Sequence, residues 1–275
     1  MKVFFFALLP TTAFAHHGQD FFVTLDTRTP DIGHGSVFMA SSWENHRGGD
    51  ETLVEPGFSV GLGQGFSIGS TFQWSDETTG SWGYSGVTPI LQWSFAVPDS
   101  PLRIGVSGSY HFADSSHTTG HSEATTHYHP PTDTSGPGSN PDAPVAGGSN
   151  HAHQGGHSHD HGGIHRHGED HFQFRLIAEW QAAENTRLLF NIIAVGSGTD
   201  DIDFGYAVGV RRKFSHTFAV GVEGIGDFDT SGQHEVIAGI YYTPRHHVTV
   251  RLGAGAGLGP NSSDIALHSG VTWRF

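Results

Sequence analysis

From His34 to the C-terminus the chain repeats one unit. Segments of about ten residues alternate apolar with small or polar side chains, and each ends at Gly, Asp, Pro or Asn. A period of two marks a β-strand with unlike faces. Twelve such segments can be marked: 34–45, 52–62, 65–75, 85–95, 102–112, 171–182, 186–196, 202–213, 217–227, 233–243, 247–257 and 264–275. In the last, Ile265, Leu267, Val271, Trp273 and Phe275 share a face with Ser269, while Ala266, His268, Gly270, Thr272 and Arg274 take the other. In 171–182, Phe172, Phe174, Leu176, Ala178 and Trp180 oppose Gln173, Arg175, Glu179 and Gln181. Soluble strands average about five or six residues, whereas strands that cross a bilayer need about 9–11. The pattern therefore predicts an all-β fold: a transmembrane, antiparallel, up-and-down β-barrel of about 12 strands.

The connections give an independent reading. One set is short: Gly63-Gln64, 97–101, 183–185, 214–216 and 244–246. The other is longer or polar: 46–51, 76–84, 113–170, 197–201, 228–232 and 258–263. The two sets alternate without a break, as in barrels with short periplasmic turns and longer outer loops. Trp43, Trp74, Trp93, Trp180, Trp273, Tyr241 and Tyr242 fall near strand ends, where interfacial aromatic girdles belong. Ahead of the barrel, Lys2, the apolar run 3–9 and Ala13-Phe14-Ala15 have the order of a secretory signal peptide. The expected organisation is a signal peptide at 1–15, a periplasmic tether, short strand or partial plug at 16–33, and a barrel at 34–275.

Composition changes the picture in one place. Between Ala113 and Asp170 lie eleven of the chain's 22 His: His117, His121, His127, His129, His151, His153, His157, His159, His161, His165 and His167. This stretch has no Leu, Phe, Trp or Met, so it is expected to be a disordered low-complexity loop on the outer face. Imidazoles two residues apart in flexible chain can close on Cu²⁺, Zn²⁺ or Ni²⁺, so a loosely bound divalent transition metal is the expected cofactor. A solvated loop without a metal role, or one that charges in acid, is the alternative. His16-His17 and His246-His247 read as solvated pairs rather than ligands. The chain has no Cys, which excludes disulfides and thiolate sites. A net charge of −14 makes nucleic acid an unsuitable partner.

The terminal Val271-Thr272-Trp273-Arg274-Phe275 resembles the C-terminal signature of Gram-negative outer-membrane barrels. That resemblance implies residence in the outer membrane, a lipid partner, and recognition by the barrel-assembly machinery through Phe275. Gly205-Tyr206-Ala207-Val208-Gly209-Val210 is similar to the small porin or transporter-like barrels grouped with the MetA pathway of phenol degradation, and implies transport.

Candidate chemistry follows from the faces. Arg103, Arg175, Glu179, Arg211, Glu223, Glu235, Arg251, His268 and Arg274 are lumen-lining candidates, either as structural ion pairs that plug the barrel or as a ladder for a small solute. A hydrolase is not expected, because H-E-x-x-H does not occur and His268 and Ser269 take opposite faces of their strand. The expected function is capture, buffering or uptake of divalent metal by the His-rich loop. The rival is a passive channel for small organic solutes with an incidental loop.

Overall fold

The alternating segments pair in chain order. The computed structural model describes residues 20–46, 49–76, 82–114, 170–197, 202–228, 232–259 and 262–275. The expected signal peptide, His16-His17 and the eleven His of the tract lie outside the described residues. Twelve strands form a closed antiparallel ring: β1 (Gly35–His46), β2 (Gly49–Gly63), β3 (Phe66–Asp76), β4 (Trp82–Ala96), β5 (Leu102–Ala113), β6 (His171–Ala183), β7 (Thr186–Gly196), β8 (Asp203–Lys213), β9 (Phe218–Asp227), β10 (His234–Arg245), β11 (Val248–Gly257) and β12 (Ile265–Arg274). Each strand pairs with its sequence neighbours, and β1 closes the ring on β12 through a register that runs from Ser36↔Arg274 to Asn45↔Ile265. Gly35 and Phe275 exchange both backbone hydrogen bonds at 3.0 Å, so the barrel's first and last residues meet at the short-turn end.

Strand bounds match the alternation to within three residues. The largest differences are at the long-loop end. The ladder between β1 and β2 continues to His46↔Gly49, and that between β3 and β4 to Asp76↔Trp82. The first connection, expected over 46–51, is therefore only 47–48. Alternation fades there because both faces leave the apolar layer, while hydrogen bonding continues.

The faces are sorted as a bilayer requires. On β12, Leu267 and Trp273 are 51% and 52% exposed, while Ala266 and Thr272 are 0% and 1% exposed. Large exposed apolar side chains occur on every strand, whereas buried positions hold mostly Ser, Thr, Glu, Arg and Asn with a smaller inward apolar set. That is a soluble protein's distribution inverted. An apolar belt this continuous is stable only against hydrocarbon. Among the described residues no helix is long and apolar enough to cross a membrane, so strands alone make the crossing.

One aromatic departs from its expected place. Tyr241 is 1% exposed and donates to Glu223 Oε1 at 2.7 Å inside the barrel, while Tyr242 is 51% exposed on the outside. Adjacent strand residues take opposite faces, so both could not belong to one girdle. Trp93, Trp180 and Trp273 lie on the outer surface, from 37% to 52% exposed.

Candidate functional site

The lumen is occupied by the chain's own N-terminal segment. Residues 20–30 run inside the ring, and the exposed Ile32 makes a single parallel bridge to Gly61 before β1 begins. Asp20 lies against Arg187, Arg211 and Arg274, residues near the short-turn ends of β7, β8 and β12. Phe22 to Leu25 form the apex, and Asp26 to Thr29 return along β4, β5 and β6. The segment therefore enters and leaves by the same end. A ring of about eight strands is filled by its own side chains, and twelve leave room for an extra strand's width of chain.

An extended segment in a closed barrel has no ladder for its amides, so the wall must supply partners. Glu223 does most of this. Its carboxylate accepts the amides of Phe22, Val23 and Thr24 at 2.8, 2.9 and 3.0 Å, together with the Thr24 hydroxyl and the Tyr241 phenol. Asn191 acts as a surrogate peptide: its Oδ1 accepts the Leu25 amide at 2.8 Å and its Nδ2 donates to the Leu25 carbonyl at 3.0 Å. Carbonyls are met in the same way. Arg251 donates to Phe21 O at 2.6 Å, Arg175 to Val23 O at 2.9 Å, and Gln92 to Asp26 O at 2.7 Å. Val23 packs on an inward apolar patch of Ile193, Val195, Ala207 and Ile225. The Phe22 ring fits where the wall lacks side chains. A Cβ at Gly239 or Gly253 would collide with it.

Arg187 is the electrostatic centre. Its three nitrogens reach Glu179 Oε1 at 2.8 Å, Asp20 Oδ2 at 3.0 Å and Asp26 Oδ2 at 3.0 Å. All four residues are buried, and charges out of water are tolerable only when paired in this way. Burial pushes the Asp26 carboxyl up to about 6, with Arg187 partly offsetting it. Burial also acts to raise Asp20, but the guanidiniums of Arg211, Arg274 and Arg187 outweigh it and hold Asp20 well below the usual range. An undocked segment would return both carboxyls to about 4. Between about pH 4 and 6, docking then takes up a proton at Asp26 and none at Asp20, so it is strongest at the acid side of that window and weakens as pH rises through 6. Exchange protection of amides 22–27, corrected for intrinsic rates, is expected to rise from pH 7 to pH 5 and to lose that dependence in Asp26→Asn. Protection that falls toward pH 5 contradicts the sign.

All nine lumen candidates lie inside. Arg103, Arg175, Glu179, Arg211, Glu223, Arg251 and Arg274 contact the segment directly. Glu235 and His268 are bonded to each other at 2.9 Å and line the space above it. Arg187, Asn191 and Gln92 were not singled out from sequence. Above the apex is a vestibule of about 300 Å³, floored by Phe22–Leu25 and lined by Glu44, Glu51, Glu55, Glu235, His111, His171, His268, Arg175 and polar Ser, Thr and Gln. His111 and His171 are cross-strand partners, their rings stacked with centroids 5.0 Å apart. Among the described residues no group of three or more His, Asp or Glu is arranged to hold a metal ion. His246 and His247 are exposed at a short turn.

No protein-family model matches the chain, and no curated protein matches it in sequence. Solved structures match its fold. The KdgM porin in complex with disordered oligogalacturonate aligns with a TM-score of 0.55 at 10% identity, over 87% of this chain and 99% of that one. An outer membrane channel from Pseudomonas putida F1 aligns with a TM-score of 0.51 at 10% identity, over 91% and 98%. At this identity the likeness is one of architecture: the chain has the closed-barrel fold of porins and channels.

Proposed function

We propose that this chain is an outer-membrane channel for small polar solutes, held closed by residues 20–33. The observation that carries the reading is that the lumen is filled by a separable segment and not by the barrel's own side chains. A purely structural barrel needs no such stopper. The porin-type fold supports the channel class, and the lipid-facing belt, the short-turn parity and Phe275 support assembly into the outer membrane. The vestibule then opens outward and the segment's two ends face the periplasm. Conductance of a chain lacking residues 20–31 in planar bilayers tests this reading.

Metal capture is the second reading, supported by the eleven His between Ala113 and Asp170 and by the stacked imidazoles of His111 and His171 at the ends of the strands that carry the tract. It makes the loop a collector at the mouth and leaves the lumen's role unchanged. Deleting Ser115 to Gly168 is expected to abolish most Cu²⁺ uptake seen by calorimetry at pH 7.5. Uptake by the undeleted chain should fall as pH drops through about 6.5, where imidazole protonates. Equal uptake by both chains removes this reading.

A further inference from the structure

The wall beneath the apex has a feature that closing a channel does not by itself require. Arg187 and Arg211 are direct cross-strand partners, both facing inward and both buried. Like charges in that position repel, and burial strengthens the repulsion. Arg274 adds a third guanidinium from β12. Glu179 and Asp26 also meet Arg187, but one carboxylate touches all three: Asp20 Oδ2 accepts from Arg187 at 3.0 Å and lies 3.2 Å from Arg211 Nη1, and Asp20 Oδ1 accepts from Arg274 at 2.6 Å. Even so occupied, the cradle has donor capacity to spare, since the buried Nε of Arg211 has no hydrogen-bond partner among the described residues. Beside it is a small cavity of about 40 Å³ at the short-turn end, lined by Asp20, Arg211, Lys213 and Arg274 among others.

Asp20 belongs to the removable segment, while its three partners belong to the rigid wall. When the segment leaves, Arg187 keeps Glu179 of β6 while the cradle loses the Asp20 carboxylate, and the arginines cannot separate, because their strands are fixed by the ladder. We propose that this three-guanidinium cradle is a binding site for small carboxylate ligands, that Asp20 is its resident occupant, and that a carboxylate solute competes with the closing segment for it. Planar guanidiniums match carboxylate geometry better than they match a spherical halide, so the site should prefer carboxylates over chloride. The proposal rests on the channel reading for its purpose, though not for its chemistry.

Chemical rescue tests it on the full chain in detergent. Asp20→Ala should lower the thermal midpoint, and acetate should recover most of the loss while chloride at equal ionic strength does not. Acetate should leave the midpoint of the unsubstituted chain unmoved. Should Asp20→Ala fail to fold in either salt, a second measurement decides. A single Cys at Thr27, in an otherwise unsubstituted chain, should be labelled by a maleimide faster in acetate than in chloride. No acetate-specific recovery, or equal labelling rates where rescue cannot be read, overturns the proposal. A segment-deleted chain that conducts without acetate rescue in Asp20→Ala removes the cradle and keeps the channel. Rescue without conductance does the reverse.

Discussion

Deleting residues 20–31 is expected to convert a barrel that is silent or flickering in planar bilayers into one with a steady, resolved open level. No single substitution should do as much. The deleted chain should still form the barrel, because the strand pairs are complete without the segment and the outer apolar belt is untouched. Arg187, Arg211, Glu179 and Glu223 would then face water, which solvates them as the segment did. A compact, heat-modifiable band in unboiled gel samples would verify folding before conductance is read. A folded, deleted barrel that stays silent would mean the lumen is closed by the wall itself.

Glu223→Ala is expected to be the strongest single change. It strands three backbone amides, the Thr24 hydroxyl and the Tyr241 phenol at once. Net loss is about 1 kcal/mol per bond, so docking weakens by about 3 kcal/mol or more, a factor of about a hundred in the docked population. Stranded amides find water only if the apex leaves Glu223, so the loss should appear as opening and not as barrel unfolding. Exchange protection at residues 22–24 should collapse while that of the β9–β10 ladder is kept. Asn191→Ala removes two bonds at Leu25 and should act in the same direction, more weakly. Protection at 22–24 unchanged by Glu223→Ala would place the segment's anchor elsewhere.

The ring was legible in the sequence because a lipid-facing strand must be apolar at every second residue, and that constraint writes itself over ten positions per strand. Lumen charge was legible for the same reason: Glu179, Glu223 and Arg251 interrupt the alternate register and nothing else explains them. Arg187 and Asn191 obey the same rule in β7, opposite Leu188, Phe190 and Ile192, and continuing the alternation there would have found them. The segment itself carried no period. Its backbone is satisfied by side chains scattered over β4 to β11, and contacts 66 to 230 residues apart leave no local pattern. One signal was present and unread. Gly209, Gly239 and Gly253 fall where chain presses against the wall, so inward glycines in mid-strand marked the path of something packed inside.

The most direct test of a segment seated in the lumen uses a cross-link. The chain has no Cys, so any introduced pair is unique. A Cβ at Gly209 would lie 2.9 Å from Thr24 Oγ1, within reach of a disulfide. The account predicts that Thr24→Cys/Gly209→Cys oxidises readily in the folded barrel and holds the channel silent, that reduction restores no more than the flicker of the unsubstituted chain, and that only the segment-deleted barrel shows the steady open level. Failure of the pair to cross-link in the folded barrel, or the same conductance oxidised, reduced and segment-deleted, would contradict it.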